Sequence, residues 1–144
     1  MGDDDETIER LLTRSRVVAV VGLTDREDRP SHRVAKYLQS VGYRIIPVNP
    51  MLEGAVLGER PYPGLDEVPE QVDIVDIFRR PEDVPPIVEA AIRKGAPAVW
   101  MQLGIAHHEA AALARAAGLD VVMDHCMAVE HRKLVRLGKL KAHR

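Results

Sequence analysis

The sequence predicts a three-layer α/β fold, in which an open parallel sheet of about five strands carries helices on both faces. Strand and helix patterns alternate through the 144 residues, as they do in successive βαβ units. The clearest strand, Val17-Val18-Ala19-Val20-Val21, is apolar throughout, which is typical of strands that helices cover on both sides. It ends at Gly22 and leads through a polar loop to a helix, the arrangement of Rossmann-like nucleotide-binding proteins.

The first half of the chain is predicted to form helix, strand, helix and strand. An opening helix is expected in residues 1–15, around residues 6–13, and the strand at 17–21 follows it. The next helix begins at Ser31, whose hydroxyl can cap it, and ends at Gly42. The second strand covers residues 44–48.

The middle of the chain begins with a surface crossing and returns to the sheet. Residues 51–71 are rich in glycine and proline, so we expect irregular structure there with a short strand at 55–57. A strand is predicted at 73–78, and a helix at 82–94 that tolerates two prolines because both lie in its first turn.

The last third is predicted to add two strands and two helices. The strand at 98–102 precedes an alanine-rich helix at 108–117, which Gly118 ends. The final strand at 119–123 closes the sheet, and a helix at 129–137 follows it.

Size and composition favour one domain over residues 1–144, because 46% of the residues are hydrophobic and the length suits one continuous core. The net charge of -2 gives no overall bias toward nucleic acid or membranes. The single Cys126 excludes an internal disulfide. No apolar run approaches the roughly 20 residues of a membrane helix or matches a signal peptide. We therefore expect a cytoplasmic protein without a membrane partner.

The residues that follow each strand are the candidate site, since ligands of open parallel sheets lie beyond the carboxyl ends of the strands. Gly22 would let a phosphate approach the backbone, and Thr24 and Ser31 would add hydroxyl donors. Four arginines lie near this edge, and guanidinium groups suit phosphate oxygens. They are Arg29, Arg33, Arg79 and Arg80.

The nicotinamide-dinucleotide fingerprint is missing from this loop. G-x-G-x-x-G requires glycines at the positions that Thr24 and Glu27 occupy. The second strand ends in Asn49-Pro50 instead of an acid that would hold a ribose diol. The sequence therefore predicts a nucleotide binder that is not an NAD enzyme.

The sequence shows no convincing catalytic or metal constellation. His125, Cys126 and His131 match no structural zinc spacing, so we expect no metal. Asp73 and Asp76 lie on opposite faces of a strand, which argues against an acid/base pair. Cys126 follows the last strand, where it could form a mixed disulfide with a ligand thiol or remain an inert, partly buried thiol.

Two long motifs follow one another along the chain in a specific order. They are Gly42-Tyr43-Arg44-Ile45-Ile46-Pro47-Val48-Asn49-Pro50 and Trp100-Met101-Gln102-Leu103-Gly104. With them the chain resembles the CoA-binding family, small single-domain relatives of the CoA-binding domain of succinyl-CoA synthetase α subunits. Further matching stretches are Val20-Val21-Gly22-Leu23, Arg29-Pro30-Ser31, Asp73-Ile74-Val75-Asp76-Ile77-Phe78-Arg79-Arg80 and Val121-Val122-Met123-Asp124-His125-Cys126. The resemblance covers nearly the whole chain.

The resemblance implies a Rossmann-like domain that binds coenzyme A at the carboxyl edge of the sheet. It places Gly22, Leu23 and Thr24 at the diphosphate, with Ser31 and Arg33 beside it. It places Asn49 and Pro50 at the nucleotide side, and Phe78, Arg79 and Arg80 beside the adenosine or its phosphates. Gln102 and Gly104 would lie along the pantetheine. The phosphohistidine of the synthetase belongs to a second domain for which this chain has no room. Binding is therefore implied, and ligase chemistry is not.

The leading hypothesis is a non-catalytic module that binds coenzyme A or an acyl-CoA as a carrier, a sensor or a protector of the thiol, and that is a monomer or a homodimer. One alternative is a nucleotide-dependent or thiol-based enzyme that uses Cys126. Another is a regulatory interaction protein that binds nucleic acid or a partner through its basic tail at 132–144.

Overall fold

The computed structural model describes residues 2–141 and contains one five-stranded sheet, in which every pairing is parallel. The strand order is β2-β1-β3-β4-β5. The strands are β1 (Val17–Val21), β2 (Arg44–Val48), β3 (Ile74–Ile77), β4 (Ala98–Met101) and β5 (Asp120–Val122). This confirms the predicted α/β fold.

Five α-helices form the two outer layers of the fold. They are α1 (Gly2–Arg14), α2 (Pro30–Ser40), α3 (Val84–Lys94), α4 (His108–Ala116) and α5 (Met127–Arg136). Buried residues of α1, α2 and α5 pack on one face of the sheet, together with Val18, Val20 and Trp100. Buried residues of α3 and α4 pack on the other face with Ala19 and Val75. Successive strand residues point to opposite faces, so each strand supplies both cores.

The start of α2 differs from the prediction. The helix begins at Pro30, and Arg29 occupies the N-cap position with an extended backbone and no side-chain capping bond. Ser31 lies inside the first turn, where its hydroxyl accepts a hydrogen bond from the Thr24 N–H at 3.3 Å. The prediction that Ser31 caps α2 was wrong, because proline favours the first helical position, which places the N-cap at Arg29 and Ser31 two residues beyond it.

The crossing at residues 51–71 is ordered by pairing rather than by a regular strand. The predicted strand at 55–57 is reduced to one antiparallel bridge, between Val56 and Glu59. Tyr62 lies beside the end of β2, where its N–H donates to Pro47 O and its carbonyl accepts from Asn49 N. This pairing returns the crossing segment to the carboxyl edge of the sheet.

The other helix ends differ modestly from the predictions. Helix α1 begins earlier than expected, and the predicted helix at 82–94 is divided into a 3-10 turn, Pro81–Asp83, and α3. Helix α5 begins at Met127 and extends to Arg136, so the first part of the predicted basic tail is helical. Residues 142–144 of that tail lie outside the described residues.

At the carboxyl edge of the sheet, the backbone at Gly22 passes very close to the backbone that follows β3. Its φ is +94°, and its N–H donates to Val48 O at 2.8 Å. A Cβ at this position would lie 2.5 Å from Phe78 O and 3.0 Å from Arg79 Cδ. The carbonyl belongs to the backbone that follows β3, so a side chain here would push the ends of β1 and β3 apart.

We expect Gly22→Ala to destabilise the protein by roughly 2–4 kcal/mol, because the backbone conformation and the close Phe78 carbonyl both disfavour a side chain. Gly118→Ala is the matched control, since Gly118 has φ +91° but open space around it. Its expected cost is about 1 kcal/mol. Urea unfolding of both variants measures the difference. Equal losses of stability in the two variants would mean that the close Phe78 carbonyl adds nothing to the cost of the positive φ.

Candidate functional site

Two cavities meet at Gly22, where the strand order reverses between β1 and β3. One, here called the α2-side cavity, has a volume of about 360 Å³ and is lined by Gly22, Thr24, Arg26, Arg29, Pro30, Ser31 and Phe78. The other, the α3-side cavity, has a volume of about 340 Å³ and lies between the ends of β1 and β2 and the start of α3. The carboxyl ends of these strands are level, because Val21 pairs with both Val48 and Ile77.

Hydroxyl groups and arginines give the α2-side cavity its chemistry. Thr24 Oγ1 accepts from Arg26 N at 3.2 Å, and Ser31 Oγ accepts from Thr24 N. Both hydroxyl oxygens act as acceptors in these bonds, so their own protons remain to donate to an anion. Arg26 and Arg29 are exposed at the rim and add positive charge.

The N-terminus of α2 adds one backbone donor to this cavity. Pro30 has no N–H, and the N–H groups of His32 and Arg33 donate to Arg29 O. The Ser31 N–H makes no backbone hydrogen bond within residues 2–141. The first turn therefore offers this N–H and the positive end of the helix dipole to a bound anion.

The α3-side cavity has mostly apolar walls with charged groups at its rim. Pro50, Pro63, Pro86 and other side chains from β2, the crossing segment and α3 line it. Arg79 lines it as well and pairs with Asp83 at 3.7 Å. Apolar walls with a few convergent polar groups are typical of cavities that hold an aromatic ring or another apolar group of a ligand.

Asn49 connects the end of β2 to the loop that follows β1. Its Nδ2 donates to Leu23 O at 3.1 Å, and its Oδ1 accepts from Met51 N at 3.0 Å. Pro50 and Asn49 both line the α3-side cavity. The Asn-Pro sequence therefore shapes the loop after β1 in addition to bordering the cavity.

Three of the predicted contact residues point elsewhere in this structure. The Leu23 side chain is fully buried in the core, so only its backbone borders the loop. Arg33 donates to Asp28 O, and the exposed Arg80 pairs with Glu82 and Asp83 at 3.7 and 3.5 Å. Neither arginine lines either of the two cavities.

The ends of β4 and β5 form a second cluster, farther along the same edge. Gly104 has φ +85°, and its N–H donates to the Asp124 carboxylate at 2.6 Å. Asp124 itself has φ +61°, an uncommon conformation for a residue other than glycine. Cys126 is partly buried at the N-cap of α5. The two loops are thus tied together beside the only cysteine of the sequence.

A buried polar pair lies beneath this edge. Gln102 Nε2 donates to Asp76 Oδ1 at 2.7 Å, and the two residues are 2% and 0% exposed. Asp76 Oδ2 has no hydrogen-bond partner within residues 2–141. Burial raises the pKa of the Asp76 carboxyl to about 7, and the hydrogen bond from Gln102 opposes this rise. Gln102 therefore contacts Asp76, and it lines neither of the two cavities.

This region also contains parts that were not predicted from the sequence, namely Asp76, Arg26 and the crossing segment. For Asp76 the signal in the sequence was an acid within an otherwise apolar strand. Arg26 lies in the polar loop before α2, where its position relative to the cavity depends on the path of the loop. The position of Pro63 and its neighbours could not be predicted, because a segment rich in glycine and proline has no hydrophobic periodicity.

The described part of the chain contains neither a metal-binding cluster nor a membrane-spanning helix. Residues 2–141 contain no group of three or more histidine, cysteine, aspartate or glutamate side chains placed to hold a metal ion. Among the helices that the structure describes, none has the length and apolar character needed to cross a membrane.

Comparison with known proteins gives one family and several relatives. Residues 16–132 match the family described as CoA binding domain. The uncharacterized protein YneT of Bacillus subtilis (strain 168) is 44% identical over 124 residues, which are 86% of this chain and 91% of YneT. A hypothetical protein from Pyrococcus horikoshii OT3 has a similar structure, with 40% identity and a TM-score of 0.87, over 91% of this chain and 92% of that one. A protein from Thermus thermophilus is 36% identical, with a TM-score of 0.86 over 90% of this chain and 98% of that one.

The buried Asp76 carboxyl generates a pH-dependent prediction for stability. Its folded-state pKa is raised, so the contribution of Asp76 to stability should decrease as the pH rises from about 4 to about 7 and level off above that. Asp76→Asn removes this titration and keeps an acceptor for Gln102. Between pH 4 and pH 8 the stability difference should move in favour of the variant by roughly 2–4 kcal/mol.

Denaturant unfolding of the wild type and Asp76→Asn across that pH range provides the measurement. Asp25→Asn serves as the control, because Asp25 is an exposed carboxylate in the loop before α2. A constant difference between wild type and Asp76→Asn at all pH values would show that Asp76 does not titrate in this range.

Proposed function

Since the chain belongs to the CoA binding domain family, we propose that it binds coenzyme A or an acyl-CoA at the carboxyl edge of its sheet without catalytic groups of its own. The observation that carries the proposal is the meeting of two different cavities at Gly22. One is basic and rich in hydroxyl groups, and the other is mainly apolar. Coenzyme A has the same two kinds of surface, a phosphorylated part and an apolar ring.

The diphosphate is assigned to the α2-side cavity. Gly22, Leu23 and Thr24 supply the backbone against which the phosphates lie, and Ser31 supplies a hydroxyl and a free N–H. Arg29 lies at the rim, and Arg33 is in the first turn of α2 close behind it. Charge-assisted hydrogen bonds from these groups would orient the diphosphate along the start of α2.

The adenosine is assigned to the α3-side cavity. Asn49 and Pro50 border it on the β2 side, and Arg79 borders it on the β3 side. Phe78 lines the neighbouring cavity, so its ring would flank the nucleotide where the two cavities join. Arg80 is 75% exposed and would reach a phosphate only by leaving its acidic neighbours.

The pantetheine arm is assigned to the edge formed by β4 and β5. It would pass Gln102 and Gly104 and bring its thiol toward Cys126, where a mixed disulfide would form under oxidising conditions. Cys126 is a free and partly buried cysteine at the N-cap of α5. Such a module would carry, sense or protect the coenzyme.

We further propose a single domain over residues 1–144 that works as a monomer or a homodimer in the cytoplasm. Two apolar side chains of the last helical region, Val129 and Leu137, are 52% and 58% exposed. A dimer interface in this region would cover these two side chains.

Isothermal titration should show saturable binding of coenzyme A by ligand-stripped protein and no binding of NAD. Arg29→Gln is expected to weaken the affinity by roughly 3- to 20-fold, because it removes a charged donor at the α2-side cavity. Arg115→Gln is the control, since Arg115 is exposed in the last turn of α4. Failure of coenzyme A to bind at millimolar concentration would refute the proposal.

The thiol assignment can be tested with the symmetrical disulfide of coenzyme A. Attack by the Cys126 thiolate would form a protein–coenzyme disulfide and release one reduced coenzyme A. Mass spectrometry should detect this adduct on the wild type, show its loss with dithiothreitol, and find none on Cys126→Ser. Unmodified wild type that still binds reduced coenzyme A would mean that the ligand thiol lies away from Cys126.

A further inference from the structure

Asp76 lies directly beneath the cavity that we assign to phosphate. It lies on β3 two residues before Phe78, which directly follows the strand, and both Ile74 and Phe78 pack against the core beneath α2, so Asp76 points to the same face of the sheet. Its register partner on β1 is Val20, two residues before Gly22. Gly22 and Phe78 both line the α2-side cavity. The backbone of Asp76 therefore lies two residues, roughly 7 Å along the strand, before the backbone that lines that cavity.

The surroundings of Asp76 leave its charge without compensation. Its side chain is fully buried, and its one hydrogen bond comes from a neutral amide, Gln102 Nε2. Oδ2 has no partner within the described residues. Two other titratable side chains are buried on the helices that cover this face, His32 on α2 and His131 on α5. The pKa of Asp76 is governed by burial and by Gln102.

We propose that Asp76 links coenzyme A binding to the uptake of a proton, an inference that rests on the proposed function. Bound phosphates would place negative charge near a carboxyl group that is itself fully buried. Like charges at this separation in a protein interior disfavour each other, so the complex favours the neutral carboxylic acid. Protein that has lost the Asp76 proton must regain it on binding.

The direction of the pH effect follows from this coupling. In the free protein the pKa of Asp76 is about 7, and bound phosphates raise it further. Binding therefore takes up a proton at pH values between the two pKa values, and affinity decreases as the pH rises through this range. Kd is expected to increase roughly 3- to 20-fold between pH 6 and pH 8. Asp76 is a positioning residue in this account, because it contacts Gln102 and not the ligand.

Titration with dephospho-coenzyme A tests the inference, because this ligand lacks the terminal phosphate that itself titrates near pH 6. Wild type and Asp76→Asn are compared at pH 6 and pH 8. The wild type should show the stated loss, and the variant should bind equally at both pH values. Repeating the wild-type titration at pH 7 in buffers of different ionisation enthalpy should reveal net proton uptake.

His32→Gln is the matched control, since His32 is a second buried titratable side chain and lies in the first turn of α2. The inference predicts that this variant keeps the pH dependence of the wild type. Loss of the dependence in His32→Gln, or its persistence in Asp76→Asn, would overturn it. If Asp76→Asn does not fold, absence of proton uptake by His32→Gln at pH 7 would overturn it. Absence of any coenzyme binding by the wild type would instead refute the proposed function.

Discussion

The close approach of two backbone segments at Gly22 is the constraint on which the rest of the site depends. Phe78 N–H donates to Val21 O at 2.8 Å, and the carbonyl of Phe78 lies where a Cβ of residue 22 would be. This contact holds the ends of β1 and β3 together at the point where the strand order reverses. Both cavities include Gly22 in their walls, so this close approach of the two backbone segments determines the shape of each cavity and the passage between them.

At the carboxyl edge of the sheet, basic and hydroxyl groups lie on one side of Gly22, and mostly apolar walls lie on the other. Helix α2 brings its N-terminus and the Ser31 hydroxyl to one side of Gly22, and the loop before it brings the Thr24 hydroxyl and exposed arginines. On the other side, α3 and the crossing segment bring prolines and aliphatic side chains. This separation arises because β1 is followed by a helix on one face and β3 by a helix on the other. A ligand with a phosphorylated part and an apolar ring can use both sides at once.

The Asp76–Gln102 pair shows that the same strands that build the edge also place a titratable group under it. Burying a carboxyl with one neutral partner costs stability when it is ionised, so a purely structural role would be better served by an apolar residue. Three residues further along the chain, Arg79 lines the α3-side cavity. Strand β3 thus connects the buried acid to the ligand edge over a short stretch of sequence.

The sequence by itself determined the order and type of the elements, because apolar runs, helical periodicity, Gly22 and Gly118 act over a few neighbouring residues. It also identified the family, through motifs that remain contiguous along the chain. Only the tertiary structure decided that Ser31 holds the loop instead of capping α2, that Asn49 bridges to Leu23, and that Gln102 lies against Asp76. These partners are 7 to 26 residues apart in sequence. Their meeting depends on strand register and on the path of loops, which no local pattern encodes.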